Sequence, residues 1–86
     1  MEELIEKVVK RILRIKYPVV NDVEVTKERK YNTDNFKYNI FLFINQEDYI
    51  PLYESEEWVI VKNLVKESVG IIGGINNFGI YVEFND

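Results

Sequence analysis

The sequence predicts a single α+β domain with the element order α-β-β-α-β, in which two helices cover one face of a three-stranded sheet. Two segments repeat apolar residues at helical spacing, whereas three others alternate apolar and polar side chains or are apolar throughout. Eighty-six residues fit one domain, 1–86, and 47% apolar with 14% aromatic residues are too many for a disordered chain.

Residues 2–16 are predicted to form the first helix. Acidic side chains come at its start and basic ones near its end, which complements the helix dipole and suggests pairs such as Glu6 with Lys10. Pro18 is expected to end the helix, because the residue before proline avoids helical angles. The apolar stripe that would face the core consists of Leu4, Ile5, Val8, Val9, Ile12 and Leu13.

Two strands are predicted to follow as a hairpin, the first over 19–31 and the second over 36–45, joined by a turn at 32–35. The second half of strand one is charged on both faces, which is typical of a sheet edge or a projecting end. Strand two is apolar on both faces over 40–44, which indicates a central position. Strand three, 78–84, would then lie parallel to strand two on its other side.

Residues 46–54 are expected to be a loop, and Ser55 is a reasonable N-cap for a second helix over about 56–69. The run Trp58-Val59-Ile60-Val61 is β-branched and suits a short strand as well as a helix, so the choice stays open. Gly70, or Gly73-Gly74, is expected to be a left-handed cap at the end of this helix.

The stretch Gly70-Ile71-Ile72-Gly73 has the G-x-x-G spacing of a phosphate-contacting turn. Together with the upstream α-β-β-α order it resembles the second KH topology, and the resemblance implies that this turn would clamp a nucleic-acid backbone. The sequence departs from that pattern in two ways. Only four residues separate the turn from strand three, and no Lys or Arg follows Lys66.

Residue types limit the chemistry that the chain can perform. Histidine and cysteine are absent, which excludes Ser-His-Asp and Cys-His catalysis and zinc sites with nitrogen or sulfur ligands. We therefore expect a non-enzymatic protein without a metal or cofactor. The lack of cysteine suits the cytoplasm, the N-terminus is unlike a secretion signal, and no apolar run is long enough for a membrane span.

Charge is distributed unevenly along the chain. Nine Lys/Arg and seven Asp/Glu give residues 1–37 a net charge of +2, whereas two Lys and eight Asp/Glu give residues 38–86 a net charge of −6. No basic residue occurs between Lys37 and Lys62. The acidic residues in that window, which we predict to bind a partner, are Glu47, Asp48, Glu54, Glu56 and Glu57.

Strand alternation also predicts that Phe41, Phe43 and Tyr81 point away from the helices and form a contact surface on the outer face of the sheet. The favoured function is a small acidic protein-interaction domain, for example a viral or mobile-element inhibitor of a nucleic-acid-handling protein. One alternative is nucleic-acid binding through Lys7, Lys10, Arg11 and Arg14, through the aromatic residues, or through the glycine turn. Another is a homo-dimer that buries the three aromatic residues.

Overall fold

The computed structural model describes residues 1–29, 36–49 and 55–85, and it confirms the predicted element order. The elements are α1 (Glu2–Lys16), β1 (Asp22–Arg29), β2 (Phe36–Ile44), a short 3₁₀ turn (Gln46–Asp48), α2 (Glu57–Ile72) and β3 (Phe78–Phe84). Within the described ranges, no helix has the length and apolar character needed to cross a membrane.

The three strands form one sheet in the order β1-β2-β3. β1 runs antiparallel to β2, with Val23 opposite Leu42. β3 runs parallel to β2, with Ile80 opposite Ile40. The predicted central position of β2 and the parallel pairing with strand three are therefore confirmed.

The core lies between the sheet and a layer formed by both helices. α1 contributes Ile5, Val9 and Leu13, all at most 1% exposed. Ser68 is the buried polar side chain of α2, and its hydroxyl donates to the Leu64 carbonyl at 2.8 Å, so its burial leaves no unpaired group. The other buried apolar residues are Val20, Val23, Val25, Ile40, Leu42, Ile44, Val61, Leu64, Val65 and Val69.

β1 begins at Asp22, three residues later than predicted, because the chain first makes a turn after α1. The Val20 N–H donates to the Tyr17 carbonyl at 3.3 Å in that turn. Residues 26–29 are exposed and lie at the sheet edge, as their charge predicted. β2 ends at Ile44, one residue early, and the predicted turn at 32–35 lies outside the described residues.

The ambiguous run 58–61 is helical. Its burial fits a helix lying on the core, because Val61 is buried while the neighbouring Val59 and Ile60 are about half exposed. The predicted cap at Ser55 is wrong. Glu56 occupies the N-cap position, and its own side chain makes no capping hydrogen bond. In the first turn the Trp58 N–H donates to the Ser55 carbonyl at 3.3 Å.

α2 continues to Ile72, three residues beyond the predicted end, so Gly70 is not its cap. Gly73 ends the helix with a φ of +76°, and its N–H donates to the Val69 carbonyl at 3.0 Å. Gly74 follows with a φ of +73°. The Gly73-Gly74 alternative for the cap is thus the correct one, because two successive left-handed residues turn the chain towards β3.

Gly73→Ala is predicted to lower the free energy of unfolding by about 1–3 kcal/mol, because a φ of +76° with a ψ of 162° is strained for any residue with a Cβ. Gly70→Ala is the matched control, since it lies within α2 and a Cβ there meets nothing within 4 Å. This control should raise stability by about 0.5–1 kcal/mol. Urea denaturation of the two variants measures both changes in the free energy of unfolding. If both changes had the same sign, the assignment of Gly73 as the helix cap would be contradicted.

Candidate interaction surface

The face of the sheet opposite the helices carries three aromatic side chains, Phe41, Phe43 and Tyr81, which we call the aromatic face. The alternate residues Ile40, Leu42 and Ile44 are completely buried on the helix side. Phe41 and Phe43 are partly buried, whereas Tyr81 is 38% exposed. The structure therefore places all three residues on the side that alternation predicted.

Stacking and one hydrogen bond order the aromatic face. The rings of Phe41 and Tyr81 stack with centroids 5.5 Å apart and an interplanar angle of 29°. Lys37 Nζ donates to the Tyr81 hydroxyl at 2.8 Å, and this hydrogen bond raises the pKa of Lys37. Tyr81 lies over Gly79, because a Cβ built at Gly79 would be only 2.6 Å from the Tyr81 hydroxyl oxygen.

Two carboxylates flank the aromatic face. Glu24 of β1 is opposite Phe41, and Glu83 of β3 is opposite Phe43. Both are exposed, and neither forms an ion pair with a described residue. Together with Thr26 and the two phenylalanines they line a shallow depression of about 200 Å³.

Sequence reasoning did not select Glu24 as a site residue. The alternation of strand one could have identified it, because Glu24 lies between the core residues Val23 and Val25 and must therefore share a face with Phe41. The cross-strand register was missing, and only the structure supplies it.

The depression is smaller than the roughly 300–1,000 Å³ of small-molecule sites, so it suits a side chain better than a ligand. An aromatic floor between two carboxylates suits Arg or Lys, because these side chains stack on rings and pair with carboxylates. The same carboxylates repel a polyanion, which disfavours base stacking on this face.

The predicted acidic residues do not join the aromatic face as one group. Asp48 and Glu57 converge on Tyr17 at the end of α1, in the helix layer. The Tyr17 hydroxyl donates to the Glu57 carboxylate, and burial followed by this hydrogen bond raises the pKa of Tyr17 to about 12. Glu47 and Glu56 are exposed, and Glu54 lies outside the described residues.

The predicted basic residues are on α1. Lys10 pairs with Asp22 of β1 at 2.8 Å rather than with Glu6, and this contact together with the Val23 N–H lowers the pKa of Asp22. The remaining basic side chains, which are exposed and line a depression of about 280 Å³ with Lys10 and Ile15, are Lys7, Arg11 and Arg14.

The expectation of a KH-like turn at 70–73 is wrong. Gly70 and the two isoleucines after it belong to the last turn of α2. Residues 73–77 then connect directly to β3, and no second helix intervenes. The G-x-x-G spacing is therefore split between a helix and its cap.

The described residues contain no group of three or more His, Cys, Asp or Glu side chains arranged to hold a metal ion.

The chain is similar to a solved structure in fold, and no comparison gives it a family. No protein-family model matches the chain, and no curated protein matches it. Among solved structures, it is similar to the "MamB CTD magnetosome protein" of Desulfamplus magnetovallimortis BW-1. That match has a TM-score of 0.52 and 19% identity, and it covers 96% of this chain and 91% of the other. At this identity the likeness concerns the α+β fold alone.

The raised pKa of Tyr17 leads us to predict a loss of folding stability at alkaline pH. Its pKa is about 12 in the folded protein against about 10 in an unfolded chain, so the folded state binds the proton more tightly. The resulting stabilisation is complete below about pH 10 and is lost as pH rises through about 12. Denaturation as a function of pH should show this loss in the wild type and not in Tyr17→Phe, whereas Glu57→Gln should shift it to lower pH. Identical profiles in all three proteins would contradict it.

Gly79→Ala is predicted to displace the Tyr81 ring, because the new methyl group occupies the space of its hydroxyl. The Lys37 hydrogen bond and the stack on Phe41 should both be lost. Aromatic ring-current shifts at Phe41 in NMR spectra measure the change. Unchanged Phe41 shifts would show that the tyrosine does not depend on this glycine.

Proposed function

We propose that this chain is a non-enzymatic protein-interaction domain whose aromatic face binds a basic segment of a protein partner. The observation that carries the proposal is the pair Glu24 and Glu83, two exposed carboxylates without an ion pair among the described residues, on either side of Phe41 and Phe43.

The chemistry of this arrangement fits a cationic side chain. A guanidinium lying on Phe41 or Phe43 would gain a cation–π contact and would meet a carboxylate on each side. The net charge of −6 over residues 38–86 would also steer a basic partner towards this part of the molecule. Tyr81 and Phe41 are already stacked, so little ordering is needed on binding.

A more specific form of the proposal makes the domain an acidic inhibitor, of viral or mobile-element type, that occupies the basic groove of a nucleic-acid-handling protein. Glu47, Asp48, Glu56 and Glu57 would then extend the negative surface along the groove. A cytoplasmic site of action belongs to this form, because the absence of cysteine suits a reducing compartment.

Nucleic-acid binding is the second candidate function, and one observation favours it. Lys7, Arg11 and Arg14 are exposed on the same part of α1 and line one depression, which could contact phosphates. The overall charge of −4 opposes this function, so we place it second.

The proposal predicts that Glu24→Gln with Glu83→Gln weakens binding of a fluorescein-labelled hexa-arginine peptide about tenfold at low salt, as expected for two charge pairs. The matched control is Glu3→Gln with Glu67→Gln, which makes the same change in net charge on exposed helical positions. Fluorescence polarisation gives the affinities, and amide shifts should localise the peptide to Phe41 and Phe43. Equal weakening in both double variants would mean that only net charge matters and would refute the aromatic face as the site.

The second candidate is tested by polarisation with single- and double-stranded RNA and DNA at the same salt. Tight binding that is lost in Arg11→Gln with Arg14→Gln would overturn the preference for a protein partner. Absence of binding would remove α1 as a nucleic-acid surface.

A further inference from the structure

β3 is an edge strand whose outer side has no partner among the described residues. The Tyr38 N–H donates to the Asn77 carbonyl, and the Asn85 N–H donates to the Ile44 carbonyl, so odd-numbered residues of this segment direct their backbone groups towards β2. In a strand the even-numbered residues must then direct theirs the other way. The residues whose outward N–H and C=O groups have no partner in the described part of the chain are Phe78, Ile80, Val82 and Phe84.

The two edge strands of the sheet differ in how strongly their side chains discourage pairing with another chain. β1 carries Glu24, Lys27, Glu28 and Arg29, which discourage pairing with another strand. β3 has Glu83 as its single charge and contains neither lysine nor proline. Side chains of β3 such as Phe84, 39% exposed, also leave apolar surface open.

We propose that the outer edge of β3 pairs antiparallel with β3 of a second copy of this chain, so that two domains form one six-stranded sheet. The inference does not depend on the proposed function, because it rests on the backbone and register of β3. A symmetric contact of this kind uses both β3 edges and closes as a dimer.

The sequence of β3 is complementary to itself in this orientation. With Tyr81 at the two-fold axis, all seven residues pair. Phe78 lies opposite Phe84 and Ile80 opposite Val82, so apolar side chains meet on the helix side. These four residues are the ones whose backbone groups point outward, so the hydrogen-bonding positions of the two strands coincide.

The positions of the charged side chains also favour pairing of β3 with a second copy in this register. Glu83 lies opposite Gly79 of the second copy rather than opposite its own equivalent, so no like charges face each other. The space over Gly79 holds the Tyr81 hydroxyl, to which Lys37 donates at 2.8 Å. The carboxylate of Glu83 would therefore meet the ammonium of Lys37 on the other copy, twice in each dimer.

Sedimentation equilibrium of the wild-type protein should give twice the monomer mass at high concentration, and Val82→Pro should remain a monomer. Proline at this position removes an outward N–H and leaves the bonds to β2 in place. A wild-type mass of one chain at about 1 mM, or a dimer that persists in Val82→Pro, would overturn the proposal.

Amide hydrogen exchange in the wild type identifies which surface is buried, without any substitution. The N–H groups of Ile80 and Val82 should become protected as concentration increases. A dimer in which these two amides stay unprotected would have a different interface, such as the aromatic face, and would refute pairing through β3.

A charge exchange tests the register. Glu83→Lys should weaken the dimer about tenfold by placing two lysines together, and Lys37→Glu with Glu83→Lys should restore the affinity to within a fewfold of wild type. Glu67→Lys, at an exposed position of α2, is the matched control and should change the dimer affinity less than about twofold. Failure of the exchange to restore the dimer would exclude this register.

Discussion

The burial of Ile40, Leu42 and Ile44 beneath the helices is the interaction on which the rest of the structure depends. Each of these β2 side chains is 0% exposed, and each contributes about 1.5–3 kcal/mol by leaving water. Strands on both sides and helices above are needed to enclose them. Because side chains alternate along a strand, the same burial directs Phe41 and Phe43 to the opposite face, which the helices do not cover.

The candidate surface follows from this alternation. Nothing in the core requires phenylalanine at positions 41 and 43, since Ile40, Leu42 and Ile44 already fill the helix side. Pairing with β1 and β3 then brings carboxylates beside the rings. The acidic and aromatic character of this face is thus a joint property of three strands, and no single segment of the sequence contains it.

The two edge strands of the sheet differ in charge, and this difference connects the proposed partner binding with the proposed dimer. β1 is charged on both faces near Arg29, whereas β3 is apolar except at Glu83. Pairing of β3 with a second copy would join two aromatic faces into one surface with Tyr81 at its centre. In that dimer Glu83 would be paired with Lys37 of the second copy, so a partner with two basic segments would meet Glu24 of both copies, and linkage would increase its affinity.

Helix and strand periodicity made most of the fold predictable, whereas local geometry decided the ends of the elements. The end of α2 could not be located by composition, because Gly70 and Gly73 are the same residue type and only the backbone shows which has positive φ. Ser55 matched a common capping residue, but Glu56 occupies the N-cap position and the helix begins after it. Capping depends on the path of the preceding chain, which a sequence pattern does not specify.

The sequence by itself determined that the chain is an α+β domain with a central apolar strand, because the period of apolar residues distinguishes helix from strand and one-sided from two-sided burial. It also determined that Phe41, Phe43 and Tyr81 share a face. Only the tertiary structure decided which charges accompany them. The cross-strand register sets Glu24 and Glu83 beside the rings and takes Asp48 and Glu57 to Tyr17, because contacts between distant segments depend on how the strands and helices pack.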